Sequence, residues 1–534
     1  MLKIFLNKIK SYKTKRVFYE NLSSIKGFNK IKHNFEIIDK IYYELTNVGY
    51  NFRYTTGYFS KNFTDQEKNI IINQNLWREL GENKLQKKLL IFFYNQKPLI
   101  HPMPVEWINI LENNGVKICK FYCKSLYKFF ILKKFIISII KIFIKIISSR
   151  SQNKLSSKNK IYFHDFEFGT MPKGKFDKFN FIEWFFNKFE LDINNFTVYH
   201  NSKKFEDKIK KKNFIFLKKQ IYLHSSIKVY FIFFYKCFSC IFTSLRDLIF
   251  NNHFNLIILP ELIDCQIIKS NNQKFCDYHI FNISNLIHRP LWTYELEKFD
   301  SKYYLTFYSM NQCLHSYDLK KYKYYWLNIF NWENNIVWDD YQSKVLKNSK
   351  LKSINNLIFN TIDFIDNDLV LDNDKDLFVS VFDIVPYRKS TIVNINSENI
   401  FYSEKNALNF LTDICQIAKE KKIKIVIKNK RDFKNTKHSK QYIRLCKTLE
   451  EDYNVIFTSK NISPRKLIKN SIGVINMPIT STAIIAKEMN KETCFYDSLS
   501  QMTIDKKILR HIELVQGRNE LRNWFDKILN KNLT

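Results

Sequence analysis

Glycine and proline are both scarce, at nine each in 534 residues. No glycine lies between Gly174 and Gly473, so the G-x-G-x-x-G turn that brings a pyrophosphate against a Rossmann strand is absent. Gly169 and Gly174, followed by Lys175, have P-loop spacing, but Phe176 stands where the magnesium-binding hydroxyl belongs, which argues against a P-loop. The ten cysteines follow no framework spacing. Cys237 and Cys240, the only C-x-x-C pair, sit in an apolar run with no second pair nearby, and so read as reduced thiols in a core rather than a zinc site. Met1 to Lys10 leads into no uninterrupted apolar core or small-residue cleavage site, so no signal peptide is expected and the chain reads as cytoplasmic.

Acidic residues are also in the minority. Asp and Glu number 51 against 86 Lys and Arg, a net charge of +35. Such a field draws in nucleic acid, anionic lipid or phosphorylated substrates. The basic residues are mostly Lys in a chain rich in Asn, Ile and Phe, the usage of an AT-rich genome. Neither clustered Arg nor a recognisable reading module is present, so no nucleic-acid partner is expected.

A chain of this length divides into two or three domains. Residues 1–75 carry no usable motif. Lys88 to Tyr94 reads as a strand, Val105 to Asn114 as a helix and Val116 to Phe121 as a second strand, one βαβ-like unit. Cys123 to Ile147 is a long apolar stretch on which Lys134, Lys141 and Lys145 fall within about 40° of one another at helical spacing. That pattern suits a helix lying on an anionic membrane surface, or one packed on its own domain. A second run, Val229 to Leu245, is shorter than a span and has Lys236 at its middle, so immersion or core burial is expected instead of crossing.

After the polar stretch at residues 149–153, strands are expected at Lys160 to His164, Phe196 to His200, Leu256 to Leu259 and Tyr303 to Tyr308. Residues 1–350 thus form an α/β domain with helical insertions at about 123–149 and 221–250. Residues 351–376, acid-rich from Asp363, form a linker, and 377–534 form a second domain. There the alternation is cleaner: strand Leu377 to Phe382, helix Glu404 to Glu420, strand Ile423 to Lys428, helix Tyr442 to Asp452 and strand Asn454 to Thr458. A helix starting at Ser463-Pro464 and a strand running into Asn476 complete a doubly wound parallel sheet, whose ligands bind at the carboxyl ends of its strands.

Three of those strand ends carry matching chemistry. After Asn476, Met477-Pro478-Ile479-Thr480-Ser481-Thr482 turns at Pro478 and opens a helix on Thr480, Ser481 and Thr482, whose hydroxyls are placed to cap it and whose amides suit a phosphate. The first strand delivers Asp383 and Arg388, and the second delivers Lys428, Lys430 and Arg431. Cations with helix-start amides at one sheet edge suit a phosphate ester.

At this point the chain resembles a family. Arg289-Pro290-Leu291-Trp292-Thr293-Tyr294-Glu295, Tyr308-Ser309-Met310-Asn311, Val337-Trp338-Asp339-Asp340-Tyr341-Gln342, Val381-Phe382-Asp383-Ile384-Val385-Pro386 and Met477-Pro478-Ile479-Thr480-Ser481-Thr482 resemble, in order, the bacterial polysaccharide-biosynthesis proteins named for a Pro-Phe-Thr-Ser motif. Ile479 replaces the motif's Phe. The resemblance implies assembly of a surface polysaccharide, capsule or lipopolysaccharide by a glycosyltransferase of the two-Rossmann GT-B type, expected to be metal-independent. With the lysine-bearing apolar stretch at Cys123 to Ile147, the expected place is peripheral on the inner face of the cytoplasmic membrane. It implies a nucleotide-sugar donor, a glycan or glycolipid acceptor, and no cofactor beyond the donor. The second domain is also similar to the donor half of sialyl- and Kdo-type transferases, although Lys430-Arg431 replace a His-Pro pair. Ile485 stands where other GT-B enzymes place a ribose-gripping Glu, which favours a CMP-sugar. The base that takes the acceptor proton is expected from the first domain, with Asp165 and Glu167 as candidates and Glu261 behind them. The Arg289–Glu295 segment is either a stacking floor for an acceptor sugar or domain core.

Two other readings compete. Asp372-Asn373-Asp374 is a D-x-D that would hold a divalent metal in a GT-A transferase. A non-catalytic, membrane-associated factor for glycan assembly or export would instead use the basic surface to bind an anionic glycan.

Overall fold

The computed structural model describes residues 37–50, 63–149, 159–165, 180–201, 214–217, 221–249, 254–282, 288–307, 325–351, 353–359, 377–386, 404–428, 438–451, 454–458, 462, 464–478, 480–500, 502 and 509–533. The chain enters through helices. A capping box at Thr64 and Glu67 starts α1 (Asp65–Leu76), which continues through a π-helical segment (Trp77–Leu85) into α2 (Gln86–Asn95). Then come α3 (Val105–Asn113) and the 28-residue α4 (Lys120–Ile147).

Two parallel sheets follow. The first contains β1 (Asn159–His164), β2 (Phe196–His200), β3 (Phe214–Phe216), β4 (Tyr278–Asn282), β5 (Lys302–Thr306), β6 (Asn334–Val337) and β7 (Asn355–Ile358) in the order β3-β2-β1-β4-β5-β6-β7. Among its helices are α5 (Asn180–Lys188), α6 (Ile227–Ile249), α7 (Phe254–Asn271), α8 (Trp292–Leu296) and α9 (Asp340–Leu346). The second contains β8 (Phe378–Phe382), β9 (Lys424–Lys428), β10 (Val455–Thr458), β11 (Gly473–Asn476), β12 (Thr493–Asp497) and β13 (Glu513–Gln516) in the order β10-β9-β8-β11-β12-β13. Its helices are α10 (Glu404–Glu420), α11 (Lys440–Glu450), α12 (Pro464–Asn470), α13 (Ser481–Glu488) and α14 (Gly517–Leu533).

Both sheets are doubly wound, as expected of a two-Rossmann architecture. In each, the chain starts in the middle, winds outward to one edge, and returns to the other side of its first strand. The strand order therefore reverses between β1 and β4, and between β8 and β11, and a crevice opens outside the carboxyl ends of each pair. β8 and β11 are buried along their whole lengths, which is why Phe-Val-Ser-Val-Phe and Gly-Val-Ile-Asn read as almost unbroken apolar runs. Gly473 fits because a Cβ there would lie 2.9 Å from the Trp524 ring of α14. One apolar core runs from the first sheet's helices to Ala483, Ile484 and Ile485 of α13.

Several expectations fail, for one reason. Lys88 to Tyr94 lies in helix α2, Leu256 to Leu259 lies inside helix α7, and Val116 to Phe121 supplies one bridge, Ile118 to Leu99, before α4 begins. A short apolar run is the same signal in a buried helix and a buried strand, so composition alone misassigned all three. The helical insertion at 123–149 is present as α4, and of the two readings of the face formed by Lys134, Lys141 and Lys145 the structure has the one packed on its own domain. Lys134 pairs with Glu79 at 2.7 Å, and Lys141 and Lys145 pair with Asp264 of α7 at 2.6 and 3.0 Å. Those three lysines share a face as expected, and that face is turned into the protein. The run at Val229–Leu245 belongs to a helix of 23 residues, longer than expected, and Lys236 donates inward to the Lys269 carbonyl at 2.6 Å. Cys237 and Cys240 lie buried on the same helix, with their thiols pushed to higher pKa by burial. The acidic stretch from Asp363, Asp372-Asn373-Asp374 and Gly169–Lys175 lie outside the described residues.

Candidate functional site

Register fixes the site in the second sheet. Phe382, the last residue of β8, stands opposite both Lys428 of β9 and Asn476 of β11. Asp383, Lys428 and the Met477–Thr482 turn therefore leave the sheet along one edge, at its switch point. The Met477 amide donates to the Phe382 carbonyl at 2.9 Å, continuing the ladder one residue into the turn. Asp383 is buried and Lys428 half-buried.

The hydroxyls of the turn do something other than cap. Thr480 is the N-cap of α13 with extended backbone, yet its side chain makes no capping bond. Its Oγ1 donates back to the Met477 carbonyl at 3.2 Å and lies 3.2 Å from Thr482 Oγ1. Thr482 Oγ1 donates to Asn476 Oδ1 at 2.6 Å, while Asn476 Nδ2 donates to Thr493 Oγ1 at 3.1 Å on β12. Asn476 is thus the centre of the turn, bonded forward to the helix and sideways to the next strand. The hydroxyls lock the loop, and the N-terminus of α13 is left without a side-chain cap. Thr480 offers α13 no side-chain cap, and the Ala483 amide bonds back to the Thr480 carbonyl at 3.3 Å. A helix start placed so, at a sheet switch point, presents a positive dipole end of the kind that can bind an anion. Pro478 makes the turn and Ser481 is the first helical residue. Arg388, Lys430 and Arg431 lie outside the described residues, as does Ile479.

The first sheet's switch point carries one of the expected carboxylates. Asp165 follows β1 with a left-handed φ of 56°. Its amide donates to Asn201 Oδ1 at 2.8 Å, and Asn201 Nδ2 donates to its Oδ1 at 2.7 Å. This reciprocal pair ties the carboxyl ends of β1 and β2 and holds an exposed carboxylate at the crevice mouth. Glu167 lies outside the described residues.

Glu261 is elsewhere: not after a strand, but inside helix α7. It pairs with Arg78 at 2.6 Å and His288 at 2.8 Å, and accepts the Leu291 amide at 3.1 Å. His288 and Arg78 outweigh its burial and hold its carboxyl well below the usual range. These contacts anchor the segment that follows it in space. There Arg289 is fully enclosed, its guanidinium 3.6 Å from the Tyr294 ring centre and 3.7 Å from that of Tyr303, with Glu297 at 2.5 Å. Trp292, Thr293, Tyr294 and Glu295 are likewise buried, so the Arg289–Glu295 segment is domain core and not a floor for a sugar.

Two arrangements carried no signal that sequence reasoning used. His164 Nε2 and His279 Nδ1 lie 3.0 Å apart in the core beside the first switch point, and burial pushes the pKa of both rings down, His279 to about 3. Across the two sheets' domains, Arg510 ion-pairs with Asp339, inside one of the quoted family words; Arg510 itself stands in no motif.

A family model described as polysaccharide biosynthesis PFTS motif protein matches residues 241–525, more than half of the chain. No curated protein matches the sequence. Solved structures that the chain resembles include a glycosyltransferase from Rickettsia africae, at 11% identity and TM-score 0.35 over 70% of this chain and 89% of that one. Another is the HepE protein of Anabaena in complex with UDP-glucose, at 9% identity and TM-score 0.38 over 70% and 90%. A third is a variant of the wall teichoic acid polymerase TagF, at 12% identity and TM-score 0.39 over 76% and 90%.

Proposed function

The chain belongs to the polysaccharide biosynthesis PFTS motif family, and from that premise we propose that it is a GT-B-type glycosyltransferase that moves a sugar from a nucleotide donor to a growing surface glycan. The observation that carries this reading is the helix start at the second switch point, lacking a side-chain cap and with Lys428 and Asp383 on the same edge. Transfer from a nucleotide sugar leaves charge on the departing phosphate, and preorganised amides are the inexpensive way to receive it without a metal. The α13 amides take the phosphate, and Lys428 adds a cation. Thr480, Thr482 and Asn476 keep the turn rigid, so that the amides need no reorganisation as charge develops.

The donor we favour is a CMP-sugar. Ile485 is apolar and enclosed against the core, so α13 has no carboxylate at that position to grip a ribose. The acceptor is a glycan or glycolipid on the cytoplasmic side of the membrane. Its hydroxyl proton goes to Asp165, the one candidate base that the described residues hold exposed at a strand end. Glu261 serves the fold, because its oxygens are committed to Arg78, His288 and the Leu291 amide.

A thermal-shift screen of the full chain against CMP-, UDP- and GDP-sugars tests the reading, since a ligand present at 100 times its Kd adds about 2.7 kcal/mol of stability. A shift with CMP-sugars that persists in EDTA is expected. If no sugar nucleotide shifts the transition while an anionic glycan does, the non-catalytic assembly factor takes its place.

A further inference from the structure

Helices α4 and α6 are amphipathic the wrong way round for a protein surrounded by water. On α4 the buried stripe is Cys123, Tyr127, Ile131, Ser138 and Ile142, and the flanking Lys134, Lys141 and Lys145 reach inward to carboxylates. The outward stripe is Phe129, Ile136 and Phe143, seven residues apart, with Phe129 67% and Phe143 55% exposed. On α6 the inward residues are Phe233, Cys237 and Ile241, together with Lys236, whose charge ends on the Lys269 carbonyl. Its outward stripe is Phe231, Phe238 and Phe242, with Phe231 71% and Phe242 69% exposed. Both helices pack on α7 and touch each other, so they lie side by side on the first domain. α4 alone runs for roughly 42 Å at 1.5 Å per residue. An apolar face of that length marks a docking surface.

Charge decides what docks there. Lys124, Lys128 and Lys133 of α4 and Lys228 at the start of α6 are exposed and form no ion pair among the described residues. A second copy of the chain would bring the same lysines against its own, in a molecule of net charge +35. An anionic bilayer complements both features at once, with acyl chains for the aromatic stripe and headgroups for the lysines. α6 is by length and composition able to cross a membrane, the one such helix among the described residues. It is nevertheless held along its inner face by Phe233, Cys237, Cys240 and Ile241, which a crossing would strip from α7. We propose that the protein docks on anionic membranes with α4 and α6 lying in the interface plane, apolar stripes inward to the lipid and the lysines at 124, 128, 133 and 228 on the headgroups. The lysine face singled out by helical spacing, Lys134, Lys141 and Lys145, takes no part. The inference goes beyond the transferase reading and does not depend on it.

Sedimentation of the full chain with vesicles of phosphatidylglycerol and phosphatidylcholine, without donor, tests it. Wild type is expected to pellet with them. Phe129→Glu/Ile136→Glu/Phe143→Glu and, separately, Phe231→Glu/Phe238→Glu/Phe242→Glu should each weaken partition about tenfold or more, at unchanged Tm because the side chains are exposed. Lys124→Gln/Lys128→Gln/Lys133→Gln should weaken binding to the anionic vesicles and leave binding to pure phosphatidylcholine unchanged. Wild type that stays in the supernatant, or Glu variants that pellet as wild type does, would overturn the proposal. So would a lipid-free dimer in analytical ultracentrifugation that the Glu variants dissociate while vesicles bind nothing, since the second copy would then be the occupant.

Discussion

Arg510, in the segment before β13, lays its guanidinium on the carboxylate of Asp339, the N-cap of α9 in the first domain, and stacks 4.8 Å from the Tyr341 ring. Both side chains are largely enclosed, at 9% and 21% exposure. Asp339 also accepts the Gln342 amide at 2.7 Å, so one carboxylate starts a helix and clamps the other domain. Arg510 adopts a left-handed φ of 52° to reach it. The pair links the two sheets' domains.

Removing the cation leaves a largely enclosed carboxylate with its capping bond but without its partner. Arg510→Met is therefore expected to lower stability by about 1–3 kcal/mol, and Asp339→Asn, which can still cap, by less. A double-mutant cycle from thermal melts should return a coupling above about 1 kcal/mol. Additive effects would mean that the pair contributes nothing across the domains.

The α13 start offers a sharper variant than removal of hydroxyls. Thr480→Ala removes the bond to the Met477 carbonyl and disturbs the turn, so lost donor binding there would be ambiguous. Ser481→Asp adds a carboxylate at the first helical position, where the dipole favours it, so the fold is stabilised by a few tenths of a kcal/mol while the site turns anionic. Donor affinity is expected to fall at least about tenfold, with Tm unchanged or higher. Unchanged affinity by titration calorimetry would remove the phosphate from α13.

Much of this site is readable without coordinates, and the reason is local. The central second-domain strands β8, β9 and β11 are buried over most or all of their length, so they announce themselves by short apolar runs with polar ends. The role of the hydroxyls is not readable. Whether Thr480 caps α13 or bonds back to Met477 depends on Asn476, whose amide is oriented by Thr493 on the neighbouring strand. The first domain is harder for the same kind of reason. Leu256–Leu259 is continuous with α7, and only the packing of that helix against α4, α6 and α8 distinguishes it from a strand. Glu261 was carried along with that error.

Asp165 is held by Asn201 and remains exposed, so its replacement should leave the structure intact. Asp165→Asn retains the shape but cannot take a proton. Turnover is expected to fall by about 10²–10⁴-fold, with donor affinity unchanged in the thermal-shift assay. Asn201→Ala, which frees the carboxylate to rotate, should lower kcat less. A full-rate Asp165→Asn enzyme would transfer the base role to another carboxylate.

The inward lysines of α4 give the last prediction, and its direction is the opposite of what helical spacing alone suggests. Lys141 and Lys145 both end on Asp264, a carboxylate only 16% exposed, and Lys141 also donates to the Pro260 carbonyl at 2.7 Å. Neutralising both leaves Asp264 desolvated and unpaired between α4 and α7. Lys141→Gln/Lys145→Gln is expected to lower stability by about 2–4 kcal/mol, and adding Asp264→Asn should recover part of that loss, because the uncompensated charge is then gone. Vesicle binding by the folded fraction should not change, since neither ammonium faces outward. If instead the double variant melts as wild type does and leaves anionic vesicles, Lys141 and Lys145 reach lipid and the orientation of α4 is reversed.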